Sequence, residues 1–134
     1  MHIFIGGAYN GKTDYVMRYY QQQHVVLVDG AIPKEAPACD VLVLKNLEKW
    51  LVTQSLEDDA PLIQTMLTEL RQLAQQCTLA VIVTDMGRGV VPMDKQARLL
   101  RDTCGRFYQA LFAEAEQVVR IWYGIGESIK EKRE

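Results

Sequence analysis

One stretch limits the fold of this chain more than any other. Gly6-Gly7-Ala8-Tyr9-Asn10-Gly11-Lys12-Thr13 matches G-x-x-x-x-G-K-[ST] at every fixed position. The context is the one the motif requires. His2-Ile3-Phe4-Ile5 reads as a short buried strand running into the loop, and a helical pattern follows from Gly11 to about Gln23. Glycines at 6 and 11 permit backbone conformations that a side chain would block, so the loop can wrap an anion with its N–H groups pointing inward. The start of the following helix adds partial positive charge. In such a loop Lys12 reaches the β- and γ-phosphates of a purine nucleotide, and the Thr13 hydroxyl ligates Mg²⁺. The whole stretch, Gly6, Gly7, Ala8, Tyr9, Asn10, Gly11, Lys12 and Thr13, is therefore the expected nucleotide contact, with ATP or GTP and Mg²⁺ as the expected cofactors.

The rest of the chain repeats the strand-then-helix order. Val25-Val26-Leu27-Val28, Val41-Leu42-Val43-Leu44, Leu79-Ala80-Val81-Ile82-Val83-Thr84 and Val118-Val119-Arg120-Ile121-Trp122-Tyr123 are short continuous apolar runs. Such runs are buried on both faces, as in a parallel sheet covered by helices. Between them lie helical patterns at 46 to 54, after Asp59 and Pro61, and from about Met93 to Glu116. Asp59 is expected to cap the helix that carries Pro61 in its first turn. Gly124-Ile125-Gly126 is expected to end the last strand, leaving a charged, frayed tail. The predicted fold is α/β, a P-loop NTPase-like three-layer sandwich with a mostly parallel central sheet. Residues 1–134 form a single nucleotide-binding domain with ligands at the carboxyl ends of the strands.

Two strand-ending carboxylates are candidates for the metal, Asp85 and Asp29, and either is also an ordinary turn former. Asp85, with Lys12, is the candidate catalytic group, and Thr13 and Asp85 are the candidate metal ligands. Arg88, between two glycines in the loop after Asp85, either brings a cation to the phosphates or marks an exposed turn. On the long helix Asp102 lies at i+4 from Arg98 and is expected to pair with it. Tyr15, Tyr19 and Tyr20 are expected to pack, and Trp50 and Trp122 to serve core or interface.

Composition narrows the setting. A net charge of −2 argues against a general nucleic-acid binder, which needs many phosphate-neutralising cations. The three cysteines are widely spaced and neither histidine is near one, so reduced thiols in a cytoplasmic protein are expected. No apolar run approaches the ~20 residues of a membrane span, and no membrane partner is expected.

The C-terminal half narrows the class. Val83-Thr84-Asp85-Met86-Gly87-Arg88-Gly89-Val90-Val91-Pro92 is followed by Arg98, Arg101-Asp102, Gly105-Arg106, Gln109 and Leu111. With the loop at 6–13, these blocks resemble the bifunctional adenosylcobinamide kinase/adenosylcobinamide-phosphate guanylyltransferase family of cobalamin biosynthesis. The resemblance implies a kinase that phosphorylates a corrinoid alcohol with ATP or GTP, and a homo-oligomer. It also implies a second step, guanylyl transfer through a histidine carried between the second and third strands. Here that connection, Asp29 to Asp40, is short and holds no histidine, so this step is expected to be absent. Lys45 stands where the family carries an acidic residue at the end of its third strand. A diverged member is implied, either a phosphotransferase or a nucleotide-binding module without cobinamide chemistry.

Overall fold

The computed structural model describes residues 1–7, 11–85 and 94–131. The chain alternates β1 (His2–Gly6), α1 (Lys12–Tyr19), β2 (Val25–Asp29), β3 (Val41–Lys45), α2 (Leu47–Leu51), α3 (Ala60–Gln76), β4 (Thr78–Thr84), α4 (Lys95–Glu114), β5 (Gln117–Trp122) and β6 (Ile125–Lys130). The strands form one sheet in the order β2-β3-β4-β1-β5-β6. All neighbours pair in parallel except β5 and β6. The expected α/β sandwich with a mostly parallel sheet is therefore the observed one.

Alternation along the strands divides the core. Ile3, Leu42, Leu44, Leu79, Val81, Val83 and Val118 point to a face covered by α2, α3 and α4. Phe4, Val41, Val43, Ala80, Ile82, Val119 and Ile121 point to the opposite face, where α1 contributes Val16 and Tyr20. Period-two alternation sends successive side chains to opposite faces, so a continuous apolar run feeds both layers. The tyrosines of α1 pack as expected, ringing Phe4 at 5.5–6.1 Å between centroids. β2 departs from full burial because it is the sheet edge, and Leu27 is exposed there.

α1 ends at Tyr19 and α2 at Leu51, each short of the sequence reading, and two further boundaries differ. The long helix begins at Lys95, because the Asp94 carboxylate accepts from the N–H of Gln96 (2.7 Å) and caps it. The chain continues as a strand past Gly126, as far as Lys130. Tyr123 (φ 49°) and Gly124 (φ 78°) form a two-residue turn with both central residues at positive φ, the geometry that suits a tight hairpin. β6 then pairs antiparallel with β5. Lys130 Nζ donates to the carbonyls of Phe112 (2.9 Å) and Ala113 (3.0 Å), satisfying open acceptors at the end of α4. Gly126 is required beneath this hairpin, since a Cβ there would stand 2.1 Å from the Tyr15 hydroxyl.

Asp59 sits at the N-cap of α3, but its carboxylate makes no capping bond. It accepts instead from Thr103 Oγ1 (2.7 Å) and Arg106 Nε (3.0 Å), joining α3 to α4. Asp102 likewise pairs with its neighbour Arg101 (3.0 Å), where the sequence spacing predicts Arg98. Among the described residues no helix is long and apolar enough to cross a membrane.

Candidate functional site

The parallel strands bring their carboxyl ends to one edge. Gly6 stands beside Thr84 of β4 on one side and Ile121 of β5 on the other. Lys45 lies beside Ile82, and Asp29 beside Lys45. The Gly6–Thr13 loop leaves this edge from the middle of the sheet. Its first glycine is forced by contact, because a Cβ on Gly6 would come within 2.6 Å of the Ile121 carbonyl oxygen. Gly11 is left-handed at φ 75° as it turns the chain into α1.

Gly6→Ala drives a methyl against a backbone atom that cannot swing aside. Urea unfolding is expected to show a loss of about 1–3 kcal/mol, the usual cost of overpacking. Unchanged stability would mean that β1 and β5 do not approach this closely.

Lys12 folds back along the loop, and its Nζ donates to the Gly7 carbonyl at 2.7 Å. Partial burial lowers the pKa of this ammonium, and the nearby Glu48 carboxylate works in the opposite direction. Beside it lies an open cleft of about 250 Å³, lined by Lys12, Thr13, Lys45, Asn46 and Thr84 and by one carboxylate, that of Asp14. Two lysines thus face one space at the start of a helix, an arrangement that favours a polyanion.

A second cavity of about 420 Å³ lies on the α4 side of the loop. Gly6, Gly7 and Asp85 border it, with Phe112, Arg120, Trp122 and Ile129. The Arg120 guanidinium stacks over the Trp122 ring at 4.4 Å. Trp122 is half exposed and so forms a cavity wall rather than core, whereas Trp50 packs against the core from α2.

These two spaces separate the expected site residues. Gly11, Lys12 and Thr13 border the first, while Gly6, Gly7 and Asp85 border the second. Alternation accounts for this: Thr84 follows Ile82 into the lining of the first space, and Asp85, one residue later, borders the second. The Asp85 N–H donates to the Gly6 carbonyl (2.9 Å), which holds it against the root of the loop. Asp29, the other carboxylate candidate, accepts from Asn46 Nδ2 (2.8 Å) and lies 3.7 Å from Lys49 Nζ. The Asn46 hydrogen bond, with the nearby lysines, holds its pKa below the usual carboxylate value. Asn46 itself takes a left-handed φ of 57° to start α2, a conformation Asn tolerates. Ala8, Tyr9, Asn10 and Arg88 lie outside the described residues.

Sequence reasoning missed Thr84, Asn46 and Glu48. Counting by two from the buried Ile82 would have found Thr84. Nothing in the sequence alone brings Glu48 near Lys12, since their proximity depends on β3 lying two strands from β1.

The family described as "Cobinamide kinase / cobinamide phosphate guanyltransferase" matches residues 12–129. The "Bifunctional adenosylcobalamin biosynthesis protein CobU" of Salmonella typhimurium is 40% identical over 58 residues, covering 42% of this chain and 32% of that protein. The protein of the same description from Escherichia coli K12 is 36% identical over 70 residues, covering 51% of this chain and 39% of that protein. The matched stretch therefore spans well under half the length of either relative.

Proposed function

Because the chain belongs to the cobinamide kinase / cobinamide phosphate guanyltransferase family, we propose that it transfers the terminal phosphoryl group of ATP or GTP to the alcohol of a cobinamide, without the guanylyl step. The observation that carries this reading is the left-handed Gly11 at the head of α1, with Lys12 reaching back to the Gly7 carbonyl and sharing a cleft with Lys45. Lys12 and Lys45 hold the polyphosphate and spread the charge that builds as the β–γ bond lengthens. Asp85, at the root of the loop, orients the acceptor hydroxyl and takes its proton. The acceptor O–P bond forms as the bond to the nucleoside diphosphate breaks.

Among the described residues no three His, Cys, Asp or Glu side chains group to hold a metal. The Thr13 hydroxyl, on the wall of the first cleft, would be the protein ligand of a Mg²⁺ ion brought in with the nucleotide. When bound it neutralises phosphate charge. The side of the reaction without guanylyl transfer is supported by the two histidines. His2 and His24 lie at the amino ends of β1 and β2, opposite the loop, and His2 is within reach of Tyr20 and Glu116.

Incubation with adenosylcobinamide, Mg²⁺ and either ATP or GTP is expected to give a product heavier by one phosphoryl group. With GTP, no guanylylated protein or product is expected. Absence of phosphorylated product with both nucleotides would overturn the kinase reading. A second reading, nucleotide binding without cobinamide turnover, draws on Lys45, whose charge stands in the cleft where the family places a carboxylate. Nucleotide binding by calorimetry with no turnover would select it.

A further inference from the structure

The tip of the β5–β6 hairpin carries a tyrosine that stands in solvent. Tyr123 is 83% exposed, and its hydroxyl has no hydrogen-bond partner among the described residues. Its φ of 49° belongs to a turn position that favours Asn, Asp or Gly. A bulky residue there carries backbone strain. The tip also abuts the phosphate loop. A Cβ on Gly11 would stand 3.6 Å from the backbone of Gly124, and one on Gly124 would stand 3.9 Å from the Arg18 guanidinium of α1.

The charges on the sheet edge give the site a direction. Lys12 and Lys45 mark the β3–β4 side of the loop for phosphates. The hairpin lies on the other side of β1. Neighbouring strands are about 4.8 Å apart, so β5 and β6 stand roughly 5 and 10 Å from the loop's strand, within the reach of a nucleoside whose phosphates rest on the loop. An exposed aromatic ring there offers a stacking face that any purine accepts.

We propose that Tyr123 is the base-stacking residue for the purine of the nucleotide held by the Gly6–Thr13 loop. This rests on the reading of that loop as a nucleotide site. Ring loss would weaken purine nucleotides without touching phosphate recognition.

The decisive variant is Tyr123→Gly, because glycine adopts the same positive φ without strain and so keeps the hairpin. Calorimetry with ATP, GTP and inorganic tripolyphosphate separates base from phosphate. The expected result is a fall of roughly 5- to 100-fold in ATP and GTP affinity, unchanged tripolyphosphate affinity and an undiminished melting temperature. Tyr123→Phe should bind nucleotides as the parent does. If Tyr123→Gly binds ATP and GTP as tightly as the parent, or loses tripolyphosphate equally, the stacking role is wrong while the loop's nucleotide role stands. If the parent protein binds neither nucleotide, both readings fall.

Discussion

Replacing Lys12 with alanine is expected to lower ATP and GTP affinity by about 10- to 150-fold, the range for losing a hydrogen bond to a charged group. The structure explains why the loss should be clean. Lys12 is the first residue of α1, its side chain lies along the loop, and its described hydrogen bond goes to the Gly7 carbonyl. Neither core cluster depends on it, so the melting temperature should move little. Turnover should fall further than affinity, because charge on the transferring group grows toward the transition state. Lys12→Arg should not restore it, since a planar fork cannot take the place of the compact ammonium that reaches the Gly7 carbonyl. Isothermal calorimetry checks the first expectation and steady-state kinetics the second. Unchanged nucleotide affinity would mean that the phosphates do not rest on this loop.

The strand–loop–helix setting of Lys12 was legible because the signal of such a loop is local. The glycines, the lysine and the threonine act within eight consecutive residues, and a strand and a helix on either side complete the signal. The continuous apolar strands were legible for a similar reason, since burial on both faces leaves a run that no amphipathic helix shows. The order of those strands was not. Nothing in Leu79–Thr84 announces that β4 inserts between β3 and β1, and that insertion decides which side chains share the cleft. Thr84 enters it beside Lys12, while Asp85, one residue later, borders the cavity on the other face. A strand-ending aspartate is easy to see in a sequence; the face it turns to depends on strand phase and on where the strand stops.

The hairpin failed to show for a different reason. Asn-Gly or Asp-Gly would have signalled a tight turn, but here the turn is Tyr123-Gly124. β6 also carries the charged pattern Ile125-Gly126-Glu127-Ser128-Ile129-Lys130, which reads as tail rather than strand. Its pairing with β5 comes from the register and from Lys130 reaching the end of α4. The departure from local preference at Tyr123 falls next to Gly124, which approaches Gly11 at the head of α1. Sequences usually break local rules near function rather than away from it.

Asp59 shows the same limit from the side of stability, and its loss carries a large expected effect on the fold. The residue has the position of a helix cap, yet its carboxylate bridges to Thr103 and Arg106. Thr103 is fully buried, so Asp59→Ala strands a hydroxyl donor inside the protein, at a cost of about 1–3 kcal/mol. The Arg106 side chain is half exposed, so its ion pair adds at most about 1 kcal/mol. Asp59→Asn keeps an acceptor for Thr103 and should lose only the ionic part. The pH dependence separates the two contributions. The hydrogen bond from Arg106, with that from Thr103, lowers the folded-state pKa of Asp59 below its ordinary value. The ionic contribution is therefore complete above the unfolded pKa of about 3.9 and is lost as the pH falls through the lower folded value. Urea unfolding at pH 7 should rank the parent above Asp59→Asn, and Asp59→Asn above Asp59→Ala. As the pH falls below about 4, the gap between parent and Asp59→Asn should close, while Asp59→Ala stays below both because Thr103 still lacks its acceptor. A gap between parent and Asp59→Asn that holds constant from pH 7 to pH 2 would show that the charge on Asp59 does not join α3 to α4.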